Sequence, residues 1–485
     1  MMSKSAKRKR SCMMQRRNFC KGIAAVTVSS TFGSNVVSTS NKKSTWEEEM
    51  KQRKIKFIDL FCGIGGFHQA LSDLGCECVF ASDIDASCRE TYRRNYGLEP
   101  AGDITKIDAK DIPSHSILCG GFPCQAFSKA GKRLGFADAT KGTLFFDIIR
   151  ILKHHKPEYA ILENVRNLAS HDKGNTWRVI YEQLDAAGYN VLPQPIIFSP
   201  HYIGIPQHRE RVFIMCLRKD LGKLPQFYFD RDELPKCSID DILLDEDSIP
   251  NIDHYRLEQD LVDLINVWND FIQGIKCDKL PGFPIWADCL CDFEKAKREV
   301  PVKWKVSSFD ELPRWAQNFV EKNAGLWKQN KDFIDKWMPR AQACKLFFGA
   351  KAKLEWQAGQ SRHPNIWDNI LQIRPSGIRV KPGTYFPALV AITQTSIVGR
   401  RKRFLTPREC ARLQSFPDTF KYDEREAQAY KQFGNGVNVE VVKLFARYLL
   451  GDGEVRKKFS LANAKSPRTR TRSKMRDDPR QLQLL

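Results

Sequence analysis

Nowhere in the 485 residues does an apolar run approach the ~20 residues that a membrane-spanning helix needs, so no membrane contact is expected. The 15 cysteines include no Cys-x-x-Cys pair; the tightest spacings are Cys76/Cys78 and Cys289/Cys291. A structural zinc site, or any bound metal, is therefore not expected. An odd number of cysteines with no regular framework points instead to free thiols in a reducing compartment. No GxxxxGK[ST] loop occurs, which argues against a phosphate-gripping nucleotidase. Acidic residues are scarce as well: 57 Asp and Glu face 78 Lys and Arg, for a net charge of +21. Residues 1–21 carry +8 of this and residues 456–480 another +8, so the body is only mildly basic. Tails of that kind suit a polyanion, or serve simply as solubilising arms.

What is present fits a soluble globular protein of roughly two to four domains: 42% hydrophobic and 28% charged residues. Residues 1–53 and 453–485 read as basic, disordered tails. KRKR at 7–10 has the composition of a nuclear address, and RRNFCK at 16–21, followed by GIAAVTV, loosely resembles a targeting start. From residue 54, short apolar runs alternate with amphipathic ones. KIKFIDLF, CVFASDID, ILCGG, YAILENV and RVFIMCL read as strands; FHQALSDLG, ASCRETYRRNYG and stretches near 143–154 and 173–187 read as helices. Such alternation predicts an α/β fold, a doubly wound and mostly parallel sheet covered on both faces. Ligands of such sheets bind at the carboxyl ends of the strands, where Phe61–Gly66, Asp83, Cys119–Phe127 and Glu163–Val165 fall. Between about 222 and 375 the alternation fades. Eight of the ten tryptophans lie between Trp268 and Trp367, which predicts a separate, irregular domain with most of them in its core. TPRECARLQSF then reads as a helix, and QFGNGVNVEVVKLFARYL as a loop feeding a buried helix.

Four segments carry chemistry. DLFCGIGGF at 59–67 places glycines between a strand and a helix, either as a mere tight turn or as a loop that a ligand approaches closely. Asp83 follows Gly63 by 20 residues, the spacing at which an acid grips a nucleotide ribose. Asp103, in GDIT, is placed to accept from an adenine amino group. GGFPCQAFS at 120–128 sets Cys124 on a Gly-Pro loop at the ligand edge, where cationic neighbours turn a thiol into a nucleophile; elsewhere a cysteine is usually an inert buried thiol. Glu163 ends an apolar strand, either as a carboxyl of raised pKa or in a salt bridge to an arginine. Arg209 and Arg211 alternate into the next strand, so their side chains are expected to point the same way.

With these blocks the chain resembles the DNA (cytosine-5)-methyltransferases, the bacterial modification enzymes in particular. DLFCGIGGF, SDID, GDIT, GGFPCQAFS, GTLFFD, ENV, QHRERVF, RECARLQSFPD and GNGV follow in the family's order across residues 57–450. The resemblance implies a Rossmann-like S-adenosylmethionine-dependent methyltransferase acting on a flipped cytosine in double-stranded DNA. It implies that Cys124 adds to C6, that Glu163 stabilises the protonated N3, and that Arg211 holds O2 with Arg209 beside it. For the cofactor it implies Phe61, Gly63 and Gly65 around the methionine part, Asp83 on the ribose, Ile84 against the adenine and Asp103 on its amino group. Leu144, Asn435 and Val437 would close that pocket. Residues 54–221 become the catalytic domain, 222–418 a smaller target-recognition domain, and 419–452 the segment that returns to the first. Two positions depart from the family pattern: Gly436 replaces a usual Ser or Ala, and Ile84 a usual aromatic.

Two alternatives compete. The tRNA-methylating branch of the family carries PPCQ and a Cys-Phe-Thr segment, whereas this chain has FPCQ at 122–125 and no such segment. A catalytically silent DNA-binding relative would lack the Cys or the Glu, and both are here. Lys351, Lys353, Arg362, Arg374, Arg379 and Lys381 are candidate DNA contacts. The expected form is a monomer, nuclear if the host is eukaryotic and otherwise in the cytoplasm or nucleoid.

Overall fold

A computed structural model of the chain describes residues 45–123, 144–231, 234–298, 308–391 and 395–460. The first sheet takes its strands from β1 (Lys56–Leu60), β2 (Glu77–Ser82), β3 (Ile117–Gly121), β4 (Tyr159–Val165), β5 (Tyr189–Val191), β6 (Ile196–Phe198) and β8 (Arg211–Arg218). Their order is β2-β1-β3-β4-β8-β5, with β6 also on β8. β2, β1, β3 and β4 run parallel, and β8 alone is reversed against β4, β5 and β6. Residues 199–210, which join β6 to β8, hold no α-helix of the kind that usually carries a parallel crossover, and the two strands pair antiparallel.

Alternate residues of each strand enter different cores. Phe57, Phe213, Met215 and Leu217 face one side; Ile58, Leu60, Val212, Ile214 and Cys216 face the other. Two helices from opposite ends of the sequence, α2 (Gly66–Ser72) and α11 (Val439–Leu450), pack together over the first side. Helices α4 (Leu144–His155) and α5 (Asn175–Ala186) cover the second with Phe145, Ile148, Leu152, Ile180 and Leu184. A sheet buried on both faces explains why its strands read as continuous apolar runs.

The expected tails begin further out than the composition suggests. Trp46–Arg53 is helix α1, with three glutamates in its first turn and Lys51 and Arg53 in its last, the arrangement that the helix dipole favours. Its Met50 is buried in the first core. At the other end Gly453–Lys458 is a short helix capped by Asp452, and Phe459 behind it stacks on Phe227.

A second sheet has the order β15-β14-β11-β12-β10-β9, from β9 (Ile285–Trp286), β10 (Lys353–Trp356), β11 (Ile370–Arg374), β12 (Gly377–Lys381), β14 (Ile397–Val398) and β15 (Arg403–Phe404). Its core is aromatic: Trp268 on α6 (Gln259–Gly274) and Trp337 on α8 (Lys331–Gln342) pack with Phe347, and Trp356 lies in the same cluster. Trp315 is exposed. β7 (Gln207–His208) pairs in parallel with β13 (Phe386–Pro387), a two-stranded link between the Gln207–Arg211 segment and the second sheet. Leu224, Phe227, Ile239 and Leu243, together with Leu405, Leu413 and Phe416, pack in the first core, whereas Leu257 onward builds the second.

Candidate active site

The glycine loop follows β1 and is held in an unusual conformation. Phe61 has φ 55°, Gly63 φ 52° and Gly65 φ 87°, so a non-glycine residue sits in the sparsely populated left-handed region at a place expected to meet a ligand. Gly65 permits two things at once: its positive φ, and the Tyr96 ring, which lies 2.2 Å from where a Cβ would stand. Gly66 gives its missing side chain's place to Val437, whose oxygen lies 2.7 Å from that point. The Gly-Asn-Gly-Val loop of the C-terminal segment thus sits directly on the start of α2.

Asp83 stitches this loop to the end of β2. Its Oδ2 accepts from the Gly63 N–H at 2.8 Å and its Oδ1 from the Asp85 N–H at 2.8 Å. Burial raises the carboxyl's pKa, against the lowering effect of those two bonds. Next to it Ile84 turns an apolar side chain outward, 76% exposed, the largest exposure among the large hydrophobics of the described residues. Arg89 fixes the backbone behind it by donating to the Asp83 and Ile84 carbonyls, both at 3.0 Å. Ala101 pairs with Ser82, which brings Asp103 to the same edge. Asp103 Oδ1 accepts from the Thr105 N–H and hydroxyl, and those bonds lower its pKa. Leu144, at the start of α4, packs half-buried against the core on the second side of the first sheet, as Phe61 does. Asn435 is exposed at the end of α10 (Glu426–Asn435). An exposed apolar side chain, two anchored carboxylates and a glycine loop on one sheet edge fit a nucleoside with a short polar tail.

The second group of residues surrounds Glu163. Arg211 Nε lies 3.1 Å from its Oε1. Gly121 is its cross-strand neighbour on β3, and a Cβ there would stand 3.4 Å from Oε2, so the carboxyl occupies the space above a bare backbone. Burial pushes the Glu163 pKa up, while Arg211 and then Arg209 pull it down. Its neighbour Asn164, buried, donates from Nδ2 to the Phe122 carbonyl at 2.8 Å. That bond ties β4 to the loop that leads into Cys124. Cys124 itself, with Phe127, lies outside the described residues. Nothing in the sequence marked Asn164 for this task; a polar residue facing inward on an otherwise apolar strand was the available signal.

Arg209 departs from expectation. Residues 209 and 210 fall between β7 and β8, so the strand period that would align Arg209 with Arg211 is broken by the bend. Arg211 is the partner of Glu163, whereas Arg209 is buried with its guanidinium on three carbonyls: Leu389 at 2.9 Å, Gly434 at 2.9 Å and Gly436 at 2.8 Å.

On the second sheet Gln372, Arg374, Arg379 and Lys381 share one face with Lys353 and Glu355. Glu355 takes Lys353 at 3.0 Å and Arg379 at 2.7 Å, and Arg374 donates to Gln372 at 3.1 Å. Burial, and to a lesser extent Lys381, disfavour protonation of His208, so this face borders the Gln207–Arg211 segment.

The family model of the C-5 cytosine-specific DNA methylases matches residues 55–450. The chain is 36% identical over 480 residues to the Type II methyltransferase M.AluI of Cellulosimicrobium cellulans, covering 81% of this chain and 91% of the relative. It is 31% identical over 401 residues to the Type II methyltransferase M.HhaI of Haemophilus parahaemolyticus, covering 82% of this chain and 96% of the relative. A third relative, the Type II methyltransferase M1.ScrFI of Lactococcus lactis subsp. cremoris, is 34% identical over 407 residues, 83% of this chain and 80% of its own length.

Proposed function

We infer the roles of single side chains from one premise: the chain belongs to the C-5 cytosine-specific DNA methylase family and is a DNA (cytosine-5)-methyltransferase. The observation that carries the assignment of roles is the Glu163–Arg211 pair above Gly121, with Asn164 holding the Phe122 carbonyl beside it.

C5 of cytosine is a weak nucleophile and must be activated. The Cys124 thiolate adds to C6, forming a carbon–sulfur bond and shifting electron density through the ring toward C5 and N3. Glu163, whose raised pKa retains a proton to higher pH than an ordinary glutamate, protonates N3 and so neutralises that charge. Arg211 fixes the carboxyl and reaches the O2 side of the ring. S-adenosylmethionine, when bound, would supply the electrophilic methyl group that C5 receives and would leave as S-adenosylhomocysteine. Loss of the C5 proton to a base then lets the ring expel the Cys124 thiolate, and N3 returns its proton to the Glu163 carboxylate, which restores the aromatic base. These atoms are covered in a stacked duplex, so the substrate is double-stranded DNA with the target cytosine turned outward.

S-adenosylmethionine would be held by Ile84 against its adenine, Asp103 at the adenine amino group and Asp83 at the ribose hydroxyls. The loop of Phe61, Gly63 and Gly65 would take the methionine part, and Leu144, Asn435 and Val437 would complete the wall. DNA passes between the two sheets, along the cationic face of β10, β11 and β12. Lys381 has neither an ion pair nor a hydrogen bond among the described residues, and burial plus the neighbouring Arg379 and Arg374 lower its pKa. Half-buried cations that repel one another call for an anion from outside, and a phosphate answers that need.

The protein acts as a monomer wherever its DNA lies. KRKR at 7–10 falls outside the described residues, and the bacterial relatives lend a nuclear address no support. Among the described residues no helix is long and apolar enough to cross a membrane. The test of this reading is transfer of labelled methyl groups from S-adenosylmethionine to duplex DNA, read as 5-methylcytosine. Cys124→Ser is expected to give none while binding the cofactor as the wild type does; turnover by that variant would overturn the nucleophile assignment.

A further inference from the structure

Among the described residues no carboxylate contacts the buried Arg209; its guanidinium donates to backbone carbonyls. The three acceptors come from two distant parts of the chain. Leu389 lies just beyond β13, on the connection into the second sheet, while Gly434, in the last turn of α10, and Gly436, just past its end, flank Asn435 where the chain turns into the loop that approaches the glycine turn. These parts are in mutual contact, since a Cβ on Gly434 would stand 2.5 Å from the Val390 carbonyl. Gln414 holds the same loop from the other side, donating to the Phe433 carbonyl at 2.7 Å and to Gly436 at 3.3 Å. From the loop the connection runs on to the ribose-binding edge: Gln432 Nε2 donates to the Ser87 carbonyl at 3.1 Å, one helical turn beyond Asp83–Asp85.

We propose that Arg209 is a positioning residue that fixes the cofactor loop against the strand bearing Arg211, and that it is not a ligand of the cytosine. The proposal rests on the cofactor reading above, which places Asn435 and Val437 in the S-adenosylmethionine pocket. A planar guanidinium reaches three carbonyls in a fixed fork, which an ammonium on a flexible stem does not reproduce. Bonds from a charged donor to buried carbonyls are among the stronger ones, and a carbonyl deprived of its donor carries its full desolvation cost. Loss of the fork therefore releases the 434–437 loop while leaving Glu163 and Arg211 paired. One guanidinium also makes the loop's position depend on where the second sheet sits, through Leu389.

The experiment is a comparison of Arg209→Lys with Arg211→Lys in the full-length protein. S-adenosylmethionine affinity is measured by direct titration, and kcat and KM by methyl transfer to duplex DNA. Arg209→Lys is expected to raise the Kd for S-adenosylmethionine about tenfold or more, with most of the loss of activity in the cofactor KM. Arg211→Lys is expected to lower kcat at an unchanged cofactor Kd. An Arg209→Lys enzyme with unchanged cofactor Kd and a kcat lowered as in Arg211→Lys would overturn the proposal, because Arg209 would then act on the base. Should Arg209→Lys fail to fold, Gln414→Met removes the other donor to the same loop; a raised cofactor Kd supports the proposal and an unchanged one overturns it. Failure of the wild type to bind S-adenosylmethionine would instead remove the reading on which the proposal stands.

Discussion

Burial and charge pull in opposite directions at Glu163, and burial wins. The carboxyl is pushed up by desolvation although Arg211 stands 3.1 Å away. The proposed role, donation of a proton to N3, needs this outcome, since a fully charge-compensated glutamate would give its proton up far below neutrality. Gly436, where the family has Ser or Ala, is a case of the opposite kind. Its φ is −60° and the nearest atom to an added Cβ is the Gln432 carbonyl at 3.4 Å, so nothing in the fold requires a glycine. Gly436→Ala is expected to stabilise the protein by about 0.4–1 kcal/mol through the unfolded chain. A rise in Tm with unchanged cofactor affinity is the expected result, and a fall in Tm would contradict it. At this scale the sequence was informative about identities and poor about orientations. Glu163 and Ile84 stand where their motifs predict, at the strand ends. The fork of Arg209 was hidden because the period of two fails at the bend between β7 and β8. Asn164 was hidden because its role depends on a loop that is distant in sequence.

Elements carry the second set of consequences. TPREC was legible as a helix start, and the structure shows why: Thr406 caps Glu409, whose carboxylate returns to the Thr406 N–H, with Pro407 in the first turn. What the sequence did not reveal is the buried partner of Glu409, Arg403 on β15, at 2.7 Å with both side chains fully enclosed. The strands of the second sheet were equally hard to foresee, since they are short and their alternation becomes meaningful only once β11 and β12 pair. That pairing picks Arg374, Arg379 and Lys381 out of the candidate DNA contacts and sets them on one face. If Lys381 meets a phosphate, Lys381→Gln should reduce the slope of log affinity against log salt by about 1, equally for any DNA sequence. An unchanged slope would remove Lys381 from the DNA surface. A change confined to one sequence would make it a base contact.

For the whole molecule, the alternating strands and helices sufficed to predict the doubly wound architecture, because burial on both faces leaves so clear a mark on each strand. The reversal of β8 and the extent of the first core, which reclaims residues on both sides of the second sheet, depend on long-range packing that no local pattern encodes. The same packing sets a pH dependence. Burial lowers His68, His115 and His201 to about 4 from an ordinary 6.5, with the repulsion of neighbouring histidines adding at the latter two. Between those limits the unfolded chain binds protons that the folded one excludes, so the stability present above pH 6.5 is lost as pH falls toward 4. Urea unfolding at pH 7 and pH 5 should show a lower midpoint at pH 5; equal midpoints would contradict the burial of these rings.

The proposed mechanism requires a covalent bond between Cys124 and a cytosine in DNA. Duplex DNA containing 5-fluorocytosine tests it most directly, because fluorine at C5 cannot leave as a proton does and the enzyme should stall on its substrate. With S-adenosylmethionine present, a denaturation-resistant protein–DNA conjugate is expected, with its linkage at Cys124 and lost in Cys124→Ser. Cofactor binding without any such conjugate, or a conjugate through another residue, would contradict it.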